Sequence, residues 1–346
     1  VTSTPLQTSH PADLTPPPSG ASTPQSSSGI RRFLASAERR RVLYAFAAAI
    51  ALFAIGEIVR PGFGSFAGIR AVLVVASFVG LVAAGQFFVI LIGGIDLSVP
   101  WVLNAAAILV VTSSLGRNAW AVPAGLLTLA MGTMIGALNG VGVGVAVLGV
   151  PAVVMTLAMN GILEGLTGGL TCSSCAAYAP PVIQAAVHHP FFGIPAVLFF
   201  WAIVIAVVSV VLSLTTFGRA TYAIGSNPRA SFLAGLPVRA ITIGLYALSG
   251  FFSALAGITL VGFGGQAALG MGDPYLFQSI AAVVIGGVYI LGGRGHYIGV
   301  VAGSISLVAL VSVLMAVDMP EYGRNIIYGV VILVLLLLYG REAPEA

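Results

Sequence analysis

The chain has 346 residues, 58% of them hydrophobic and only 7% charged. A soluble domain carries about 25% charged residues, so this composition excludes a water-facing globular protein and points to a polytopic membrane protein. All fourteen basic residues are arginines; they flank hydrophobic segments instead of forming one basic face, which excludes a nucleic-acid partner despite the net charge of +4.

Residues 1–29 are rich in Pro, Ser and Thr and hold almost no large apolar side chains. Such a stretch cannot bury enough surface to fold, so disorder is expected. Residues 30–41 follow with Arg31, Arg32, Arg39, Arg40 and Arg41. Residues 1–41 are therefore read as a tail with an arginine-rich juxtamembrane part. A cleavable signal peptide is disfavoured, because the next run ends in Glu57 and Arg60 without a small-residue cleavage site.

About ten hydrophobic segments fill the membrane domain at 42–341. Their spans are 42–59, 70–92, 97–115, 119–140, 151–169, 194–215, 240–262, 274–291, 296–317 and 324–340, several near the roughly 20 residues a crossing helix needs. The prediction is an all-α bundle of about ten transmembrane helices. Glycine is abundant, 44 of 346, which predicts close helix packing. If all ten segments cross and the N-terminal arginines lie in the cytoplasm, Arg219, Arg229, Arg239, Arg294 and Arg341 also lie inside. Only Arg60, Arg70, Arg117 and Arg324 then lie outside. That distribution obeys the positive-inside rule and places both termini in the cytoplasm.

Gly93-Gly94-Ile95-Asp96-Leu97-Ser98 puts a carboxyl group between two hydrophobic runs. A charge facing lipid there would cost a few kcal/mol. The glycines loosen the helix, and Asp or Ser can cap the next one. Two readings stand: a broken or re-entrant turn, or an ordinary capped loop. Leu91-Ile92-Gly93-Gly94-Ile95 and Val284-Ile285-Gly286-Gly287-Val288 also suggest a repeat of two halves, against chance in so glycine-rich a chain.

Residues 216–239 form the one long cytoplasmic stretch within the membrane domain. Asn227 followed by Pro228 is a strong helix start, and Gly235 a suitable stop. The two turns between carry Arg229, Ala230, Phe232 and Leu233. So short a helix is unstable alone in water and needs a surface to dock on.

Three segments, 93–98, Ala223-Ile224-Gly225-Ser226-Asn227-Pro228 with Ala230, Gly235 and Leu236, and Gly286-Gly287 with Gly292-Gly293-Arg294-Gly295, carry a resemblance. Together they are similar to the permease subunits of ribose/xylose/arabinose-type ABC sugar importers, in the branched-chain amino acid/sugar permease superfamily, over roughly residues 40–340. The resemblance implies a bacterial inner-membrane subunit without chemistry or cofactor of its own. A second permease subunit, identical or related, would complete a dimer. Two cytoplasmic ATPases would carry ATP and Mg, and a periplasmic binding protein would deliver the small sugar. Gly225, Asn227, Pro228, Arg229, Ala230, Phe232, Leu233 and Gly235 would couple to the ATPase; Gly93, Gly94, Asp96, Ser98, Gly293 and Arg294 would form a structural or gating motif. Consistently, the chain has no Gly-x-x-x-x-Gly-Lys-Ser/Thr and no lysine, so any ATP site belongs to another chain. Two positions depart from the family: Pro100, where glycine is common, and Glu164, where a basic or amide residue is more usual.

Gln86, Asn104, Asn139, Asn160, Glu164 and Gln278 are the polar residues within hydrophobic spans. They suit sugar hydroxyls, but amides also serve interhelical packing; a cavity is favoured for Glu164 because a lipid-facing carboxylate is costly. Cys172 and Cys175, with His188 and His189 downstream, leave zinc, a disulfide or unpaired thiols open, the last being favoured. Val182, Ile183, Ala186 and Val187 predict an external interfacial helix; in the family reading it lies where the binding protein docks. The same superfamily also carries nucleosides, furanones and branched-chain amino acids. An ion-coupled transporter would need more intramembrane acids than Glu164, Asp96 and Asp273. An intramembrane enzyme would need a catalytic set that the sequence lacks.

Overall fold

A backbone placed in hydrocarbon must satisfy its own hydrogen bonds, and the computed structural model, which describes residues 37–144, 150–170 and 178–340, does so almost wholly in helices. In chain order these are α1 (Ala37–Val59), α2 (Phe66–Leu91), α3 (Val99–Ser114), α4 (Asn118–Gly144), α5 (Ala152–Leu170), α6 (Pro181–His188), α7 (Ala196–Leu214), α8 (Thr216–Ser226), α9 (Pro228–Leu233), α10 (Val238–Gly264), α11 (Pro274–Ile285), α12 (Tyr297–Ala316) and α13 (Glu321–Gly340). One small antiparallel hairpin, β1 (Pro190–Phe191) and β2 (Ile194–Pro195), pairs Pro190 with Pro195. Each of the ten predicted segments holds a helix. Among the described residues, α1, α2, α4, α5, α7, α10 and α12 contain stretches long and apolar enough to cross a membrane. Residues 1–36, the glycine-rich stretch at 145–149, and Cys172 and Cys175 lie outside the described residues.

α2 is apolar on every side and is buried without interruption from Ala76 to Leu91, as expected of a helix at the centre of a bundle. α10 lies beside it and packs along α4 through small residues. A Cβ on Gly136 would come within 2.1 Å of the Tyr246 carbonyl, and one on Gly250 within 2.0 Å of the Gly132 carbonyl. The predicted role of glycine is seen here as direct backbone contact, the usual small-residue device of membrane helices. α11 and α12 meet likewise, with Gly286 and Gly299 each against the other's backbone. By contrast α1, α5 and α7 have most of their surface uncovered.

Two helices are too short to span a bilayer. α3 has 16 residues and α11 has 12, about 24 and 18 Å against a hydrocarbon core of about 30 Å. Both start in the middle of the bundle. Asp96, just ahead of α3, bonds Ser249, which lies eleven residues into α10, or about 17 Å along it. The loop ahead of α11 folds in from the opposite end, so that a Cβ on Gly272 would meet the Pro100 carbonyl at 2.0 Å. The Gly93–Ser98 segment is therefore a break inside the bundle and not a capped loop at its edge, and the predicted segment 274–291 stops helically at Ile285.

The helices before the two glycine-rich loops end alike. After α2, the Gly94 N–H reaches the Val89 carbonyl at 3.0 Å and the Gly93 N–H the Ile90 carbonyl at 2.8 Å. After α11, the Val288 and Gly287 N–H groups reach the Val283 and Val284 carbonyls at 3.3 and 2.9 Å. Both are Schellman caps with the left-handed residue at Gly93 (φ +77°) and Gly287 (φ +80°), a conformation cheap only for glycine. The two caps thus superpose Gly93 on Gly287, one residue out of step with the Gly-Gly match in the sequence.

The predicted external helix is α6. Its Val187 packs inward against Phe78 and Val197, and His188 Nε2 lies 3.0 Å from the Phe263 carbonyl, the two rings stacked at 5.3 Å. This side of α6 is fastened to the bundle.

Candidate translocation and coupling site

Asp96 is 1% exposed, so its carboxyl oxygens need donors from the protein. Its Oδ1 accepts from the Ser98 backbone N–H at 3.0 Å and the Ser98 hydroxyl at 2.6 Å, and its Oδ2 from the Ser249 hydroxyl at 2.7 Å. Asn139 Nδ2 on α4 donates to Ser98 Oγ at 2.8 Å. Thr156 Oγ1 on α5 accepts from the Leu97 N–H at 3.0 Å. One short loop thereby ties α3, α4, α5 and α10 together. The predicted cap takes a different form: the Ser98 side chain makes no cap bond to α3 and instead serves Asp96.

The loops after α2 and α11 touch each other and α8. The Gly293 N–H donates to the Leu91 carbonyl at 2.8 Å. Gly225 lies on the same spot: a Cβ there would fall 2.0 Å from the Leu91 carbonyl and 2.6 Å from the Gly293 nitrogen. Tyr222 Oη donates to the Gly295 carbonyl at 2.9 Å, and Gly293 sits against Ser226. The turns at 91–93, 222–226 and 291–295 therefore meet at one end of the bundle. A cavity of about 310 Å³ lies there, bounded by Gly93, Gly94, Pro228, Arg239, Thr242 and Tyr246.

At that end α9 begins as the sequence predicts. Asn227 Oδ1 accepts from the Ala230 N–H at 2.9 Å, Pro228 takes the first helical position, and the Gly235 and Leu236 N–H groups close the last turn on Phe232 and Ser231. Phe232 and Leu233 are 65% and 78% exposed, and Arg229 and Ala230 are exposed with them. Sequence reasoning missed α8, which Thr215 starts by accepting from the Gly218 N–H at 3.2 Å. The signal was Thr215 followed by eleven residues without proline.

A glycine-broken helix pair at mid-bundle, joined to an exposed capped helix at one end, is the geometry of a transport protein. Residues 68–336 match the family described as the permease component of branched-chain amino acid transport systems. The chain belongs to this permease family. The permease is 32% identical over 301 residues to the ribose import permease protein of Haemophilus influenzae, covering 84% of this chain and 91% of that one. It is 31% identical over 309 residues to the autoinducer 2 import system permease protein of Escherichia coli O9:H4, covering 88% of each. The ribose import permease protein of Bacillus subtilis is 32% identical over 305 residues, covering 83% and 89%. No solved structure matches the chain. The permease is a multi-pass membrane protein and a transport component.

The polar residues within its spans fall into two groups. Gln86, Asn104 and Asn139 are fully buried between helices. Asn139 belongs to the Asp96 network, whereas the side chains of Gln86 and Asn104 find no hydrogen-bond partner among the described residues. Asn160 and Gln278 are half-buried and Glu164 is exposed. Gln278 lies beside Tyr328 and borders a cavity of about 720 Å³ between α2, α12 and the α1–α2 loop. Glu164 projects from α5 near Asp273, close enough for the two carboxyl groups to interact electrostatically. Arg294 is exposed beside Gly293, at the end of the bundle where α8 meets the two loops. Ser249 and Thr156 were missed. Ser249 had a faint signal, since Ser249, Gly250, Ser253 and Gly257 form a small-residue stripe on α10.

Proposed function

We propose that the permease is the membrane subunit of an ATP-driven bacterial importer for a small sugar of pentose or hexose type. Two of the relatives named above import ribose and one autoinducer 2, and the chain covers nearly the whole of each. The observation that carries the mechanism is the junction of α8 with both glycine-rich loops. A partner ATPase, which holds ATP and Mg, docks on α9 in the cytoplasm. Its movement passes through Gly225 and Ser226 to the loops that hold the starts of α3 and α11. Those half-helices change the opening of a pathway in the middle of the bilayer, a two-state change driven by different ATPase contacts in each state. A second permease subunit completes the pathway, Glu164 faces it, and a periplasmic binding protein supplies the sugar from the other side. Ten crossings with both termini in the cytoplasm put α9 on the ATPase side.

The test uses liposomes holding the permease with the ATPase that co-purifies with it and the cognate binding protein. Phe232→Ala with Leu233→Ala removes apolar surface worth about 1.5–3 kcal/mol per side chain when buried, so the ATPase should be lost or uncoupled and uptake should stop. Normal ATPase binding and normal stimulation in that variant would reject the reading. Labelling of a cysteine placed at Ser226 from the periplasmic side would reject the orientation. The autoinducer 2 relative supports a second cargo, a furanone-type sugar derivative; the ligand retained by the binding protein decides between the two.

A further inference from the structure

α9 is too small to be the whole docking surface. It has six residues, and only Phe232 and Leu233 among its large apolar side chains are exposed. The loop after α11 presents another exposed apolar side chain at the same end: Leu291 is 70% exposed, and its carbonyl lies against Gly93. Two residues on, Gly293 packs on Ser226, the residue before the Asn227 cap. Arg294 follows directly, Arg229 lies in the first turn of α9, and Arg239 borders the same cavity as Pro228. All three arginines are exposed. No acidic residue occurs in 216–239 or 286–296.

We propose that the turn Leu291-Gly292-Gly293-Arg294 is a second docking element, and that with α9 it forms one composite surface for the ATPase. This rests on the reading that an ATPase binds α9. The chemistry specifies the partner face: an apolar pocket for Phe232, Leu233 and Leu291, flanked by carboxylates that pair with Arg229, Arg239 and Arg294. Among the described residues no carboxylate lies in these two stretches to pair with the three arginines, and this positive charge beside the apolar side chains disfavours a basic groove. Contact at Leu291 has a mechanical consequence, because this turn also receives the Gly93 loop through the Gly293-to-Leu91 hydrogen bond. The ATPase then acts on the α11–α12 loop directly as well as through α8.

The experiment measures binding of the co-purifying ATPase to the full-length permease in lipid nanodiscs. Leu291→Ser removes one aliphatic side chain that the ATPase would cover and should weaken binding about tenfold. Arg294→Glu should weaken it strongly at low salt and much less at about 0.5 M salt, where exposed charges are screened. Both positions are exposed, so folding is checked simply by a retained monodisperse elution profile. If both variants bind as the wild type while Phe232→Ala with Leu233→Ala does not, α9 acts alone and the proposal falls, but the importer reading stands. If none of the variants changes binding, the importer reading falls too. If the Arg294→Glu effect occurs in discs with anionic lipid and vanishes in neutral phosphatidylcholine, the arginine serves the headgroups and the composite surface is rejected.

Discussion

Asp96 is 1% exposed and receives three hydrogen bonds from Ser98 and Ser249, whereas Glu164 projects from α5, a helix with most of its surface uncovered. A carboxyl group is costly inside a membrane, and the chain handles that cost in two ways. At Asp96 neighbouring helices supply donors, so that the group becomes a fastener. At Glu164 the side chain is left on an open face beside a second carboxyl group, Asp273, an arrangement that adds nothing to packing. The same carboxyl chemistry is thus enclosed by donors in one place and left uncovered in the other, and only the surroundings distinguish them.

The largest effect expected from breaking this comparison is at Asp96. Asp96→Ala strands the Ser98 N–H and two hydroxyls inside the bundle, and a buried donor left without its partner costs about 1–3 kcal/mol. The variant should lose roughly 3 kcal/mol or more or fail to assemble, as read by denaturant titration in micelles. Asp96→Asn keeps the shape and the acceptor for Ser98 but presents an amide N–H to the Ser249 hydroxyl, which must then accept where it donated; its stability should fall between wild type and Asp96→Ala. Wild-type stability in Asp96→Ala would show that the network is incidental.

Ser249→Ala comes next. It removes the only donor to Asp96 Oδ2 seen among the described residues, and a loss of about 1–2 kcal/mol should follow. The double variant Asp96→Ala with Ser249→Ala should cost less than the sum of the singles, since the two side chains share one interaction. Strict additivity would mean they act independently.

Thr156→Val sharpens the comparison, because Thr156 is where the open helix α5 is tied to the Asp96 loop. The hydroxyl accepts from Leu97 N–H and donates to the Ala152 carbonyl of its own helix. Its removal leaves one backbone N–H without a partner, for about 1 kcal/mol. The same variant should loosen α5, seen as faster hydrogen exchange there, while α10 is unchanged. Equal exchange in both helices would argue that α5 is held by something else.

How much of this could be read from the sequence follows the same physics. The helices were legible because a hydrophobic run of bilayer length has few other uses. Asn227-Pro228 was legible because capping is local. Asp96 and Ser98 stood out as polar residues between apolar runs. Their partner Ser249 did not, for it lies 153 residues away and a lone serine in a membrane helix is unremarkable. Depth was also invisible: hydropathy records that residues 97–115 and 274–291 are apolar, but not that α3 and α11 begin in mid-bundle. α8 escaped because its mixed polarity reads as a loop until Gly225 is seen pressed against Leu91 and Gly293.

Glu164 is the position where stability and function should separate. The side chain is exposed and α5 is thinly covered, so Glu164→Gln and Glu164→Ala should change stability by less than about 0.5 kcal/mol. Insertion and ATPase association should be normal. If Glu164 lines the proposed pathway, uptake in liposomes should nevertheless fall, because a carboxylate there would offer cargo hydroxyls an acceptor that neither glutamine nor alanine reproduces in full; glutamine, which retains one acceptor oxygen, should lose less than alanine. If Glu164 instead lies in the contact with a second permease subunit, the variants should dissociate the dimer, and gel filtration with light scattering would show it before any transport is measured. Uptake unchanged across the whole substrate range, with the dimer intact, would remove Glu164 from the pathway and leave the contrast with Asp96 as one of exposure alone.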